Sequence, residues 1–242
     1  MALSTYTDKY SRMHRLFFAL LLSTLSYNQV SAQEWSDAEI RKANTAVNAS
    51  YLTTEEKNVI LLMNLIRLDG PRFYNTFLED YINKYNDNVR QYRNYNQLKI
   101  TRSNTYYTSL YKHLQGIKNL PMFYPDERLT ALSRGHAVDL NRNNLDTHES
   151  SNGDKFSKRL SRYFPNKAMS ENIDFGYSKS LDIVCHLLLD CGVPSLGHRF
   201  NILDQKYKLN TVGVSIQPHP AFNYCTVIDF VAQPLYIATS PN

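Results

Sequence analysis

Four side chains in the C-terminal half have the chemistry to form a site together: His148, His198, Glu171 and Asp190. Two imidazoles and two carboxylates suit a divalent metal, the histidines binding through nitrogen and the acids directly or through water. They suit acid–base work equally, with a carboxylate orienting a histidine that activates water, and Glu171 and His198 are then the catalytic candidates. Spacing does not choose between the two. His198 has the clearest local placement. Gly192 and Pro194 end an apolar helix, Ser195 can cap the next one, and His198 falls in its first turn. Glu171, between Met169 and Ile173, is expected to face inward and to need a partner. His136 shares a stripe with Leu129, Leu132 and Leu140. Asp139, three residues on, lies near the same face, so both are candidates for a supporting role behind the site. Ser150 and Ser170 are nearby hydroxyls, but neither stands in a Gly-x-Ser-x-Gly elbow, and the sequence holds no HExxH helix.

The elements that must position these residues can be read from periodicity. Thr53 and Glu56 form a capping box for a helix over 54–68, which Gly70-Pro71 breaks, and helical spacing resumes over 71–85. Pro125-Asp126 opens a helix ending near Asn144, and a polar loop carries His148. A basic helix-like stretch follows at 156–163, then an apolar helix over 179–190 with His186 off its apolar face and expected to be exposed. Thr211 to Gln217 and Tyr224 to Val231 alternate as strands, joined by a hairpin loop in which His219 is expected to be exposed. Strands arriving after a series of helices predict an α+β fold, with helices covering a small antiparallel sheet.

Lys9, Arg12 and Arg15 precede an apolar run from Leu16 to Leu25, and Val30-Ser31-Ala32 offers a cleavage site. Residues 1–32 therefore read as a secretory signal peptide, too short to span a bilayer, and the mature chain as exported, periplasmic or extracellular, without a transmembrane segment. Residues 33–50 read as a flexible leader that docks, if at all, by Trp35, and residues 51–242 as one domain. The chain's net charge of +5 falls to about +3 without the signal, too mild to argue for nucleic acid. Lys155, Lys158, Arg159, Arg162 and Lys167 read as a solvated face. Residues 83–112 are rich in tyrosine and asparagine, which fits a carbohydrate-facing or base-stacking surface, or, the preferred reading, a partly helical surface insertion. Cys185, Cys191 and Cys225 make no disulfide framework. Cys191 with Cys225 is the one pairing worth testing, and buried free thiols are the expected state.

Asn64 and Arg67, LSRGHAVDL at 132–140, THES at 147–150, SENIDFG at 170–176, GHRFNIL at 197–203 and TVGVSI at 211–216 together resemble a bacterial-type member of the CAP superfamily. That group contains the cysteine-rich secretory, venom-allergen and pathogenesis-related proteins, with an SCP-like domain. The resemblance implies an α–β–α sandwich and a cleft holding two histidines and two acids. By it, His148 and His198 form a pair able to hold zinc or magnesium, with Glu171 the first acid and Asp190 the second, shorter than usual. It implies no organic cofactor, and it leaves residues 83–112 unexplained. The function expected is an exported binding module for a lipid, glycan or protein partner. The alternatives are a protease-like hydrolase using the same tetrad and a tetrad that is purely structural.

Overall fold

A computed structural model of the chain describes residues 35–234. The expected signal peptide lies outside the described residues.

The two late β-branched runs form β3 (Thr211–His219) and β4 (Asn223–Val231), paired antiparallel. β2 (Met169–Phe175) adds antiparallel to the free side of β4. The two-residue β1 (Tyr124–Pro125) runs parallel to β3, so the order is β1-β3-β4-β2 and the expected antiparallel sheet is mixed at one edge. β2 is the other edge.

Helices cover both faces, as an α–β–α sandwich requires. The first are α1 (Asp37–Ala43) and α2 (Thr54–Leu68). A helical stretch follows, from α3 (Gly70–Phe73) through a π-helical turn at Tyr74–Leu78 to α4 (Glu79–Val89). α5 (Tyr95–Leu98), α6 (Thr105–Gln115), α7 (Glu127–Asn143) and α8 (Phe156–Ser161) precede β2, and α9 (Ser180–Leu189) and α10 (Gly197–Ile202) follow it. Strand alternation sends Val212, Val214, Ile228 and Phe230 into the larger core with α2 and α9. It sends Ile173, Cys225, Val227 and Val231 to the opposite face, against α7 and α8. On that side the layers nearly touch: a Cβ at Gly213 in β3 would lie 2.4 Å from the carbonyl carbon of Leu129 in α7.

Three readings are corrected. The stretch read as a flexible leader forms α1, opened by a Ser36–Glu39 capping box, and buries Ala43, Ala46 and Ala49. Trp35 does dock by its ring, with Nε1 donating to Thr76 Oγ1 at 3.1 Å and the Arg72 guanidinium 4.7 Å from the ring centroid. The tyrosine- and asparagine-rich segment is partly helical as expected but not a surface decoration. Tyr107 and Leu110, with Leu114 just beyond the segment, form a helical stripe of α6 in the main core, and Ile100 joins that core from the loop before it. All three cysteines are free. Cys185 and Cys225 are buried as expected, whereas Cys191 is exposed.

Asn64 and Arg67, both fully buried, bind the elements together. Asn64 Nδ2 donates to the carbonyls of Ala43 and Phe123, and its Oδ1 accepts from the Phe123 amide at 2.7 Å. Arg67 donates to the carbonyls of Pro121, Ile202 and Leu209 and lies 4.1 Å from the Phe123 ring centroid. Burial pushes its pKa down to about 10, so it remains a cation at neutral pH, satisfied by carbonyl dipoles.

Candidate functional site

β2 lies at the sheet edge, and its alternation divides the site. Glu171 and Ile173 turn toward α7 and α8, while Asn172 and Asp174 turn toward α9 and α10. On the first side, His148 in the loop after α7 donates from Nδ1 to Glu171 Oε1 at 2.8 Å. The other oxygen, Oε2, accepts from Arg159 Nη2 at 2.5 Å. Burial would raise the Glu171 pKa, but the hydrogen bond from His148 and the charge of Arg159 more than offset it, so the group is held below its ordinary value. Glu171 is therefore an ionised orienting group, unsuited to serve as a general acid.

On the second side, His198 Nδ1 lies 2.7 Å from Asp190 Oδ1. Asp190 Oδ2 accepts from the backbone N–H groups of His198 at 3.0 Å and Arg199 at 3.3 Å. The carboxylate at the end of α9 thus caps the first turn of α10, a role the sequence assigned to Ser195. The turn is clamped by Arg199, fully buried, which donates to the carbonyls of Leu188, Leu189 and Tyr106 and to Ser109 Oγ.

The four residues therefore form two imidazole–carboxylate pairs rather than one quartet. Glu171 orients His148, not His198, and each carboxylate is spent inside its own pair. Among the described residues no three His, Cys, Asp or Glu side chains converge as a metal-binding group. The acids do not fit as direct metal ligands. The atoms that fit are Nε2 of His148 and of His198, neither of which has a hydrogen-bond partner among the described residues. Nδ1 anchoring by a carboxylate is the usual support of a metal-ligating imidazole. A cleft of about 430 Å³ runs along the open edge of β2, lined by His148, Phe156, Ser170, Glu171 and Asn201 among others. His198 does not line it. Its helix contributes through Asn201, whose Nδ2 donates to Asn172 Oδ1 at 2.7 Å, and Asn172 in turn donates to the His198 carbonyl.

The supporting residues act differently from expectation. His136 is buried, with Nε2 at 3.2 Å from the Thr147 carbonyl and Nδ1 unpartnered, and burial lowers its pKa. Asp139 orients no imidazole. It accepts from the Ser151 amide and hydroxyl and so fixes the loop that carries His148. Ser150 Oγ accepts from Arg159, and Ser170 Oγ is buried without a partner, so neither hydroxyl is activated by a histidine.

Three participants escape a reading of the sequence. Arg159, taken for part of a solvated face, is 12% exposed and donates to Glu171, to the carbonyls of His148 and Asp154, and to Ser150. Its neighbours Phe156 and Leu160, an inward pair at helical spacing, were the only signal available. Asp229, opposite Glu171 on β4, is buried and accepts from Ser133 Oγ at 2.8 Å. Burial and the adjacent Glu171 charge raise its pKa well above the usual range, so it stays protonated beside an ionised partner. His186, expected to be exposed, pairs through Nδ1 with buried Asp174 at 2.5 Å. Desolvation lowers the imidazole pKa, but the bond to Asp174 outweighs it and the net shift is upward. His219, also expected to be exposed, is buried. Its Nε2 lies 2.9 Å from the Leu145 carbonyl, and its ring packs on Phe175 and Phe222.

No helix among the described residues is long and apolar enough to cross a membrane. The chain is similar to an extracellular protein containing a SCP domain from Bacillus anthracis str. Ames, at 24% identity and a TM-score of 0.40, over 48% of this chain and 35% of that one. It is also similar to an outer surface protein from Borrelia burgdorferi, at 20% identity and a TM-score of 0.40, over 48% of this chain and 81% of that one. The chain thus spans about a third of the first protein's length. Among the curated proteins none matches. Residues 84–230 match the CAP (Cysteine-rich secretory protein family) model, a span that takes in nearly all of the tyrosine-rich segment as well as both imidazole–carboxylate pairs. With more than half of its length so matched and a small sheet between helical layers, the chain belongs to the CAP, or cysteine-rich secretory protein, family.

Proposed function

We propose that the chain is an exported binding module that takes a lipid, glycan or protein partner in the cleft along β2. The observation that carries this reading is His148, which lines the cleft with Nδ1 fixed by buried Glu171 and Nε2 without a partner, together with a second imidazole outside that lining, His198, fixed in the same way by buried Asp190. A divalent ion such as zinc or magnesium would be held by these two Nε2 atoms, with water completing its shell, and would supply a positive centre for an oxygen of the partner. The basic start of the chain, followed by an apolar run, supports export, as does the extracellular or surface description of the two similar structures. A hydrolase is less well supported, because Glu171 is held ionised and neither Ser150 nor Ser170 meets a histidine.

The test is calorimetric zinc titration of the native chain and of the His148→Ala/His198→Ala variant, alongside ester and peptide hydrolysis assays. Expected are about one zinc per native chain, none for the folded double variant, and no turnover. Turnover that disappears in Glu171→Gln would replace the binding module with the hydrolase. A double variant that merely melts earlier, with no zinc bound by either protein, would make the tetrad structural.

A further inference from the structure

A second cavity, of about 340 Å³, opens between α7, α8 and the loop joining them, and it shares no lining residue with the cleft. Its polar wall is rich in unspent donors. Arg162 uses Nη2 on Asp154, which leaves Nε and Nη1. Ser150 Oγ accepts from Arg159 and keeps its own hydrogen to give, and Asn152 accepts from the Asp154 amide through Oδ1 and keeps its amino group. The carboxylate in this wall, Asp139, already has both oxygens engaged by Ser151 and Asn143. Of the two cations that line the cavity, Arg159 is paired with Glu171, while Arg162 shares Asp154 with Lys158 and is the one left with unspent N–H groups. Such a wall suits an anionic group.

The facing wall is apolar, formed by Ala131, Leu132 and the half-exposed ring of Tyr163. Gly135 lies between the two walls. Within a helix a glycine costs about 1 kcal/mol relative to alanine. Yet a Cβ here would meet no atom within 4 Å, and the backbone is helical, so neither packing nor conformation calls for glycine. What the missing side chain preserves is the open space. His136 closes the inner end, 2% exposed, with Nδ1 an unpartnered acceptor. Anion-seeking donors opposite a flat aromatic ring, with one further acceptor for a hydroxyl, match the two faces of a charged sugar ring.

We infer that this cavity binds an acidic saccharide of the uronate class, its carboxylate held by Arg162, Ser150 and Asn152 and its C–H face against Tyr163. The assignment stands apart from the cleft and from any metal there.

The experiment is calorimetric titration of the full chain with digalacturonate and, as the neutral counterpart, galactobiose. Three variants are compared. Gly135→Met fills the cavity while raising helix propensity, Arg162→Gln removes the cation, and His148→Ala/His198→Ala disables the cleft. Digalacturonate should bind the native chain at least about tenfold more tightly than galactobiose, and Arg162→Gln should lose about tenfold. Gly135→Met should lose binding altogether while melting no earlier than the native chain, and the double histidine variant should stay within about twofold of native. Absence of digalacturonate binding by the folded native chain would overturn the assignment, as would undiminished binding by Gly135→Met or equal affinity for galactobiose. Tighter binding of a phosphoserine peptide, lost in Gly135→Met, would also overturn it by giving the cavity to a phosphorylated protein.

Discussion

Glu171 and Asp229 are carboxyl groups on adjacent strands in register, yet their pKa values move in opposite directions. The difference lies in their partners. Glu171 has a guanidinium and an imidazole N–H, whereas Asp229 has a single hydroxyl and an anionic neighbour. The sign of each on stability follows. Glu171, depressed, adds stability above the ordinary carboxylate pKa, and this is lost as pH falls through its folded value. Asp229, raised, does the reverse. Its unfolded form ionises as pH rises through the usual range while its folded form does not, so it costs stability from there up to its folded pKa. Asp229→Asn, which can still accept from Ser133, should therefore gain stability relative to the native chain as pH is raised from about 4 to about 8. Urea denaturation across that range measures it, and a variant that loses ground toward alkaline pH would contradict the protonated assignment. None of this is legible from the two residues in sequence. Glu171 announces itself by an acid among apolar neighbours, but Asp229 is one more polar position in an alternating strand until register places it opposite Glu171.

The site depends on short elements held from a distance. α10 has six residues, too few to stand alone, and its first-turn amides are met by a carboxylate eight positions upstream. The local reading favoured Ser195 because capping rules consider only adjacent residues. A cap that arrives by way of a left-handed turn at Asp190 has no local signature. α7 is the longer support, carrying His136 and Asp139, and it approaches the sheet closely at Gly213. Gly213→Ala should cost at least about 2 kcal/mol, since its methyl would meet the Leu129–Thr130 backbone, which cannot turn aside as a side chain can. Thermal denaturation would show the loss, and a variant melting with the native protein would mean that the two layers can part at no cost.

Over the whole molecule, the sandwich distributes its cysteines unevenly. Cys185 and Cys225 lie in the two cores on opposite faces of the sheet, and Cys191 lies in the turn after α9. Burial raises the thiol pKa at Cys185 and, to about 12, at Cys225, and desolvation raises that of Cys191 as well, but Cys191 alone is exposed, so a thiol reagent such as dithionitrobenzoate should titrate one group in the folded chain and three after unfolding. Two fast-reacting thiols in the native chain would contradict the packing. The β3–β4 hairpin, the capping box of α2, the helix that carries His136 and the candidacy of His148, Glu171, Asp190 and His198 were legible in the sequence by itself. Each is carried by a local pattern: a period, a cap, a turn or a motif of a few residues. Tertiary structure alone decided that the four divide into two pairs, that Arg159 turns inward to Glu171, that His186 meets Asp174 and that residues 36–52 pack into the core. The physical reason is that a hydrogen bond or a buried contact is set by direction and distance across the fold. Strand register and helix packing supply these between residues that no short stretch of sequence joins.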